Sequence, residues 1–195
     1  LGMIIRHGES YTMSNHLTVR DESGKAIYRP TVHYSYCPSN EAINSVLELR
    51  MRNWQKQPQE RIMNNEIISG RDELGVLLLG HDYTGWWTGS RLSIDEARTI
   101  TTGQSATTLQ VAGSVLAAMK WMIASPTQGV RVPDELPWKS VLADARPYLG
   151  EIHSAPTDWD PLKTRSDLFP GYGNTSRLDL TDPWQFRNFI TPTPS

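Results

Sequence analysis

The sequence predicts an α+β fold: a mixed, largely antiparallel sheet with flanking helices, one long buried helix and an extended C-terminal tail. Three observations carry this. Short β-branched and aromatic stretches with a hairpin-type turn crowd the first third of the chain. A long stretch over residues 105–125 is helical in composition and apolar on most faces. The regular strand–helix alternation of a doubly wound parallel sheet is missing, and periodicity fades after residue 151.

Taken in order, residues 2–6 and 16–20 read as strands. DESGK, residues 21–25, reads as a hairpin turn in which Gly24 can take a positive φ. AIYRPTVHYSY alternates β-branched and aromatic residues and reads as strand, with Pro30 marking an edge position or a break. PSNEAINSVLELRMRNW reads as a helix: Ser39 or Asn40 can cap it, and Ile43, Val46, Leu47 and Arg50 recur at helical spacing. ERIMNNEIIS and LGVLLLGHD read as strands on either side of a polar turn at Gly70, Arg71, Asp72 and Glu73. SIDEARTI is a short helix whose Ser93 and Glu96 make a capping box. SATTLQVAGSVLAAMKWMIAS is the strongest helix; it stops at Pro126, and its apolar body predicts burial. LPWKSVLADARPYL is a shorter helix. Beyond Glu151 no element is predicted, and there are no internal repeats.

Composition removes several function classes. The 195 residues are 38% hydrophobic, enough for a real core. A net charge of −2 gives no electrostatic footprint for nucleic acid or membrane. No apolar run approaches the roughly 18 residues of a spanning helix. The single cysteine, Cys37, excludes an internal disulfide framework and a multi-cysteine zinc site, and no metal site is predicted. It fits a reducing, cytoplasmic compartment, and Cys37 itself is expected to be a small buried residue. The chain opens on Leu1, inside a strand-like run and without a signal-peptide pattern, so a piece of a longer protein is expected. Several of the seven Trp and thirteen Pro gather near the C-terminus, as expected of a tail that packs on something larger.

The string RHGES, residues 6–10, is the signature of the histidine phosphatases, where the His accepts a phosphoryl group and the Arg holds it. On that reading His7 is the nucleophile, His81 its partner, and Arg6, Arg50 or Arg52 the phosphate clamps. His81 comes too early in the chain for that family, and the alternating strand–helix pattern is missing. The phosphatase therefore stands as an alternative. His7-Gly8-Glu9 also matches the H-x-E of zinc deaminases, but their P-C-x-x-C partner is missing.

Three longer strings lead elsewhere. YRPTVHYSYCPSNEAINSVLELRMRNW, ERIMNNEIISGRDELGVLLLGHDYTGWWTGS and GQSATTLQVAGSVLAAMKWMI resemble, in the same order, the C-terminal part of the bacterial homospermidine synthases. These belong to the saccharopine dehydrogenase-like superfamily, and the resemblance runs over about residues 1–165. It implies an N-terminal Rossmann domain holding NAD, followed by an α/β catalytic domain. It also implies a homodimer that joins two putrescines, or putrescine and spermidine, into a longer polyamine. NAD takes a hydride and returns it, and ammonia leaves. No G-x-G-x-x-G strand–helix unit occurs here, so NAD would be bound mainly by an N-terminal domain absent from this chain, and the chain alone should be inactive.

On this reading residues 1–100 form the substrate and dimerisation portion of the catalytic domain. Residues 101–150 form a helical segment that packs back on the nucleotide domain, and residues 151–195 form an irregular tail. A diammonium substrate needs carboxylates at both ends and a base for the reacting amine. Glu9 and Asp72, both expected on turns, are assigned to ammonium binding, and His7 to binding or proton shuttling; the resemblance implies that matching positions line the polyamine pocket. Read without it, Glu9 and Asp72 are plain turn residues. Ser105, Thr107 and Thr108 open the long helix and are expected to approach the nicotinamide side of NAD. Ordinary N-capping by Ser105 or Thr107 explains them equally well. Arg71 and Glu73 read as a solvated or interface pair, Trp86 and Trp87 as core or subunit interface, and His33 and His81 as structural. The remaining alternative is a non-catalytic oligomerisation domain.

Overall fold

The computed structural model describes residues 2–163 and 178–190. Leu1 and the parts of the predicted tail at 164–177 and 191–195 lie outside the described residues. The chain forms two compact units, Leu1–Met63 with Leu116–Asp144, and Asn64–Val115 with Ala145–Ser195. Helices and antiparallel strands are mixed throughout, as the α+β reading expects.

The first unit begins with β1 (Met3–Ile5) and α1 (Gly8–His16), then β2 (Val19–Arg20), β3 (Ala26–Tyr28), β4 (Tyr34–Tyr36) and α2 (Asn40–Met51). β1 and β4 pair antiparallel, with Ile5 opposite Tyr34 and Met3 opposite Tyr36. The DESGK turn closes the β2–β3 hairpin as expected. The Asp21 N–H donates to the Lys25 carbonyl oxygen at 2.9 Å, and Gly24 takes φ 83°. The Asp21 carboxylate accepts from the Ser23 hydroxyl and from the N–H groups of Ser23 and Lys25, which lowers its pKa. In α2, Ser39 is the cap: its Oγ accepts from the Ala42 N–H at 3.2 Å.

Three expectations change here. α1 is a helix where none is predicted, and of the expected strand at 16–20 only Val19–Arg20 pairs. GESYTMSNH lacks an apolar stripe, so periodicity could not reveal it. AIYRPTVHYSY is two strands, β3 and β4; of the edge and the break that Pro30 marked, the break is found. Residues 60–69 form no strand: the Asn64 N–H is engaged locally by the Glu66 carboxylate at 2.6 Å, and no partner strand pairs with them.

The second unit is built on one antiparallel sheet in the order β5–β6–β7, with β5 at Arg71–His81, β6 at Thr84–Ser93 and β7 at Glu151–Thr157. Arg71, Asp72 and Glu73 belong to β5, opposite Ser93, Leu92 and Arg91; the expected polar turn there shrinks to Gly70, at φ 123°. The charges are tolerated in the strand because Glu73 meets Arg71 at 2.8 Å and Arg91 at 3.5 Å, all three on one sheet face. β6 and β7 were not legible as strands. Glycines interrupt the first, and β7 is a polar strand whose Pro156 sits on the outer edge of the sheet, where a missing N–H does no harm.

Strand alternation puts Leu74, Val76, Leu78, Trp86, Thr88, Ser90 and Leu92 on one face and Leu77, Trp87 and Arg91 on the other. The Trp87 ring lies over the cross-strand pair Gly75 and Gly89. A Cβ on Gly75 would stand 2.5 Å from the Thr88 carbonyl oxygen and 2.7 Å from Trp87 Cζ2. Gly75→Ala is therefore expected to cost about 1–3 kcal/mol, read as a lower urea midpoint at unchanged slope.

Leu92 heads the core of this unit, packed with Ala97, Ala106, Leu109 and the Tyr148 ring. The capping box at Ser93 and Glu96 starts α3 (Ile94–Ile100), and Glu96 is held below its usual pKa by the Ser93 hydroxyl and N–H. The long helix is α4 (Ala106–Ala124). Fully buried Gln110 donates through Nε2 to Ser90 Oγ and to the Leu149 carbonyl, each at 3.1 Å. Gly113 leaves room for Tyr148: a Cβ there would come within 2.6 Å of it. Burial of α4 follows one stripe, Ala106, Leu109, Gln110, Gly113 and Ala117, while Val115 is 53% and Ile123 78% exposed.

α5 (Trp138–Ala145) runs into a short 3-10 turn, Arg146–Tyr148. Residues 178–190 are tied by buried Asn188. Its Nδ2 donates to the carbonyls of Asp179, Asp182 and Pro183, and its Oδ1 accepts from the Asp179 N–H. The Trp184 side chain of this segment covers Gly80 of β5.

Candidate active site

His7 is the N-cap residue of α1, in extended backbone at φ −136° and ψ 144°, and Glu9 stands in the first turn of that helix. Glu9 was expected on a turn, so the structure moves it onto a helix start. A carboxylate is favoured there by the helix dipole. The Glu9 carboxylate meets His7 Nδ1, and both side chains keep more than a third of their surface in solvent, 37% for His7 and 39% for Glu9. A neutral imidazole that donates from Nδ1 to Glu9 carries its lone pair on Nε2. Tyr34 flanks the pair. Its ring is stacked on the imidazole at 4.2 Å between centroids and 19° between planes, and Tyr36 follows at 5.5 Å, tilted. The β1–β4 register brings Tyr34 opposite Ile5, two residues before His7. No sequence motif singled Tyr34 out. The signal was the pairing of two short strands, which single-sequence reading does not give.

Such a group has defined chemistry. A carboxylate attracts an ammonium, and an imidazole oriented by a carboxylate can move a proton.

The other expected site residues belong to the second unit. Asp72 is half-buried on β5 opposite Leu92. Ser105 Oγ accepts from the Thr108 N–H at 3.2 Å and donates to Thr108 Oγ1 at 2.9 Å, the geometry of an N-cap on α4. Thr107 and Thr108 are exposed in its first turn. His81 accepts at Nδ1 from the Tyr83 N–H at 3.1 Å. Trp86 and Trp87 are half-buried on opposite faces of the sheet, Trp86 donating to Ser154 Oγ at 2.8 Å. Cys37 is exposed, not buried as expected, because the two-stranded sheet it follows does not cover it. Among the described residues no cluster of His, Cys, Asp or Glu could hold a metal ion, and no helix is long and apolar enough to cross a membrane.

Burial draws the pKa of His33 below its ordinary 6.5. The folded chain then resists a proton that the unfolded chain accepts below that pH, so His33 subtracts stability as the pH falls through 6.5. His33→Gln is expected to narrow the difference in unfolding free energy between about pH 7.5 and about pH 5. Urea titrations at the two pH values check this.

The saccharopine dehydrogenase C-terminal domain matches residues 2–157, and the chain belongs to that family. Within it, the chain is similar to the homospermidine synthases of Blastochloris viridis (44% identical over 190 residues, 97% of this chain and 39% of the relative) and Mesorhizobium japonicum (43% over 190 residues, 97% and 38%). The crystal structure of the homospermidine synthase from Legionella pneumophila in complex with NAD superposes with a TM-score of 0.85 at 43% identity, covering 96% of this chain and 39% of that one. The chain thus spans about two fifths of the length of the curated relatives it matches. These relatives do not favour the phosphatase or oligomerisation readings.

Proposed function

We propose that the chain is the C-terminal, substrate-binding part of an NAD-dependent homospermidine synthase, a transferase that joins two putrescines, or putrescine and spermidine, and releases ammonia. The observation that carries this reading is the Glu9–His7 pair, an anionic group suited to a cation, with an imidazole beside it suited to proton transfer. NAD, when bound, takes a hydride from the amine-bearing carbon and returns it. Glu9 and Asp72 each bind an ammonium group. His7 takes through Nε2 the proton that an attacking ammonium must lose to become a nucleophile, and gives it to the departing ammonia.

For NAD the chain offers the start of α4, where Ser105 is engaged in capping and Thr107 and Thr108 present hydroxyls beside the helix N-terminus. That suits a peripheral contact, with the main nucleotide site outside this chain. In this reading residues 1–100 serve the substrate and the dimer, and residues 101–150 pack on the nucleotide domain through the exposed apolar side of α4. Residues 151–195 form a tail, irregular beyond β7. The full protein works as a homodimer in the cytoplasm, and this chain alone is inactive because it lacks the hydride carrier. Full-length, NAD-loaded protein given putrescine should yield homospermidine and one ammonia per turnover, measured by chromatography and an ammonia assay. Folded, loaded protein that makes neither would overturn the proposal.

A further inference from the structure

We propose that Tyr34 is a positioning residue for His7, setting the plane of the imidazole so that Nδ1 stays on Glu9 while Nε2 holds one direction; this rests on the reading of His7 and Glu9 as the amine site. His7 occupies the N-cap of α1 but makes no side-chain capping bond to the helix. Its ring is therefore oriented by its other contacts. The bond from Nδ1 to Glu9 fixes one point of the ring and leaves it free to rotate about that direction. A flat ring stacked at 4.2 Å and 19° removes this rotation. Tyr34 can supply such a face because the β1–β4 ladder carries it: Ile5, two residues before His7, pairs with Tyr34 itself. The imidazole and its stacking partner thus come from two paired strands of one unit.

An imidazole that has lost its plane still binds Glu9, and Glu9 still binds an ammonium. What fails is the alignment of Nε2 with the reacting nitrogen. The loss should therefore appear in kcat and not in KM, because misplacement by about 1 Å can cost on the order of 100-fold.

The test uses full-length, NAD-loaded protein, with rates measured over a putrescine series that reaches saturation. Tyr34→Leu, which removes the flat face, should lower kcat about 10- to 100-fold while KM moves less than about threefold. Tyr34→Phe, which keeps the face, should stay within about threefold of the parent in both constants. Should the Leu variant not fold, Tyr34→Met, flexible and without a flat face, takes its place with the same expectation. His7→Gln, run alongside, separates the two ideas. If His7→Gln is inactive and Tyr34→Leu or Tyr34→Met keeps its kcat, the positioning role is overturned and the amine site stands. If His7→Gln keeps full activity, both fall.

Discussion

Glu9→Gln in the full-length protein is expected to lower kcat/KM for putrescine by about 10- to 100-fold, mostly through a higher KM. The reasoning is electrostatic. Gln keeps the shape of the side chain and can still accept from His7 Nδ1, so the imidazole remains tethered. What disappears is the charge. A hydrogen bond between ionised partners contributes about 1.5–3 kcal/mol, and about 1.4 kcal/mol is tenfold in affinity. The Glu9 side chain is 39% exposed, so water screens part of that attraction and the lower end of the range is the expected one. Asp72→Asn is expected to raise KM in the same sense. Steady-state kinetics over a putrescine series checks both, and if neither substitution moves KM the ammonium-binding assignment is wrong.

Gly150→Ala is expected to be among the most destabilising single changes in the chain. Gly150 links the 3-10 turn Arg146–Tyr148 to β7 and holds φ 75°, where an L-residue with a side chain is strained by about 1–2 kcal/mol. A Cβ there would also run into the Arg91 carbonyl oxygen of β6, a backbone atom that the sheet holds in place. Together these should cost about 2–4 kcal/mol, or roughly 4–16 °C in Tm for a chain of this size. Gly24 supplies the internal control. It has a similar φ of 83°, yet nothing lies within 4 Å of where its Cβ would be. Gly24→Ala should therefore show the backbone cost alone. Calorimetry on both variants decides: equal losses would mean that the approach of Gly150 to β6 has no energetic weight.

What the sequence made legible was local. Ser39 capping α2, the Ser93–Glu96 box on α3, the DESGK hairpin and the long run of α4 are each specified within a few residues, and each is found. What it hid depends on partners far along the chain. β6 and β7 are strands because they pair with each other, Trp87 opposite Ala155, although neither alternates cleanly. Asp72 looked like a turn residue until β6 supplied Leu92 opposite it. α4 reads as buried all round because its composition is apolar, but the side it buries within this chain is chosen by Leu92, Ser90 and Tyr148. The same division runs through the site. His7 and Glu9 stand two residues apart and were visible as a pair. Tyr34 reaches them only through the β1–β4 register, which no local pattern encodes.

In the proposed reaction a hydride is borrowed from a diamine and given back to the product, with Glu9 and His7 managing the amines. Putrescine deuterated at both amine-bearing carbons, supplied to the full-length protein with unlabelled NAD, tests it in one measurement by mass spectrometry. The expected product is homospermidine that keeps all of its deuterium, with no accumulation of reduced NAD. Loss of deuterium from homospermidine, or an aldehyde product accompanied by stoichiometric reduced NAD, would contradict it.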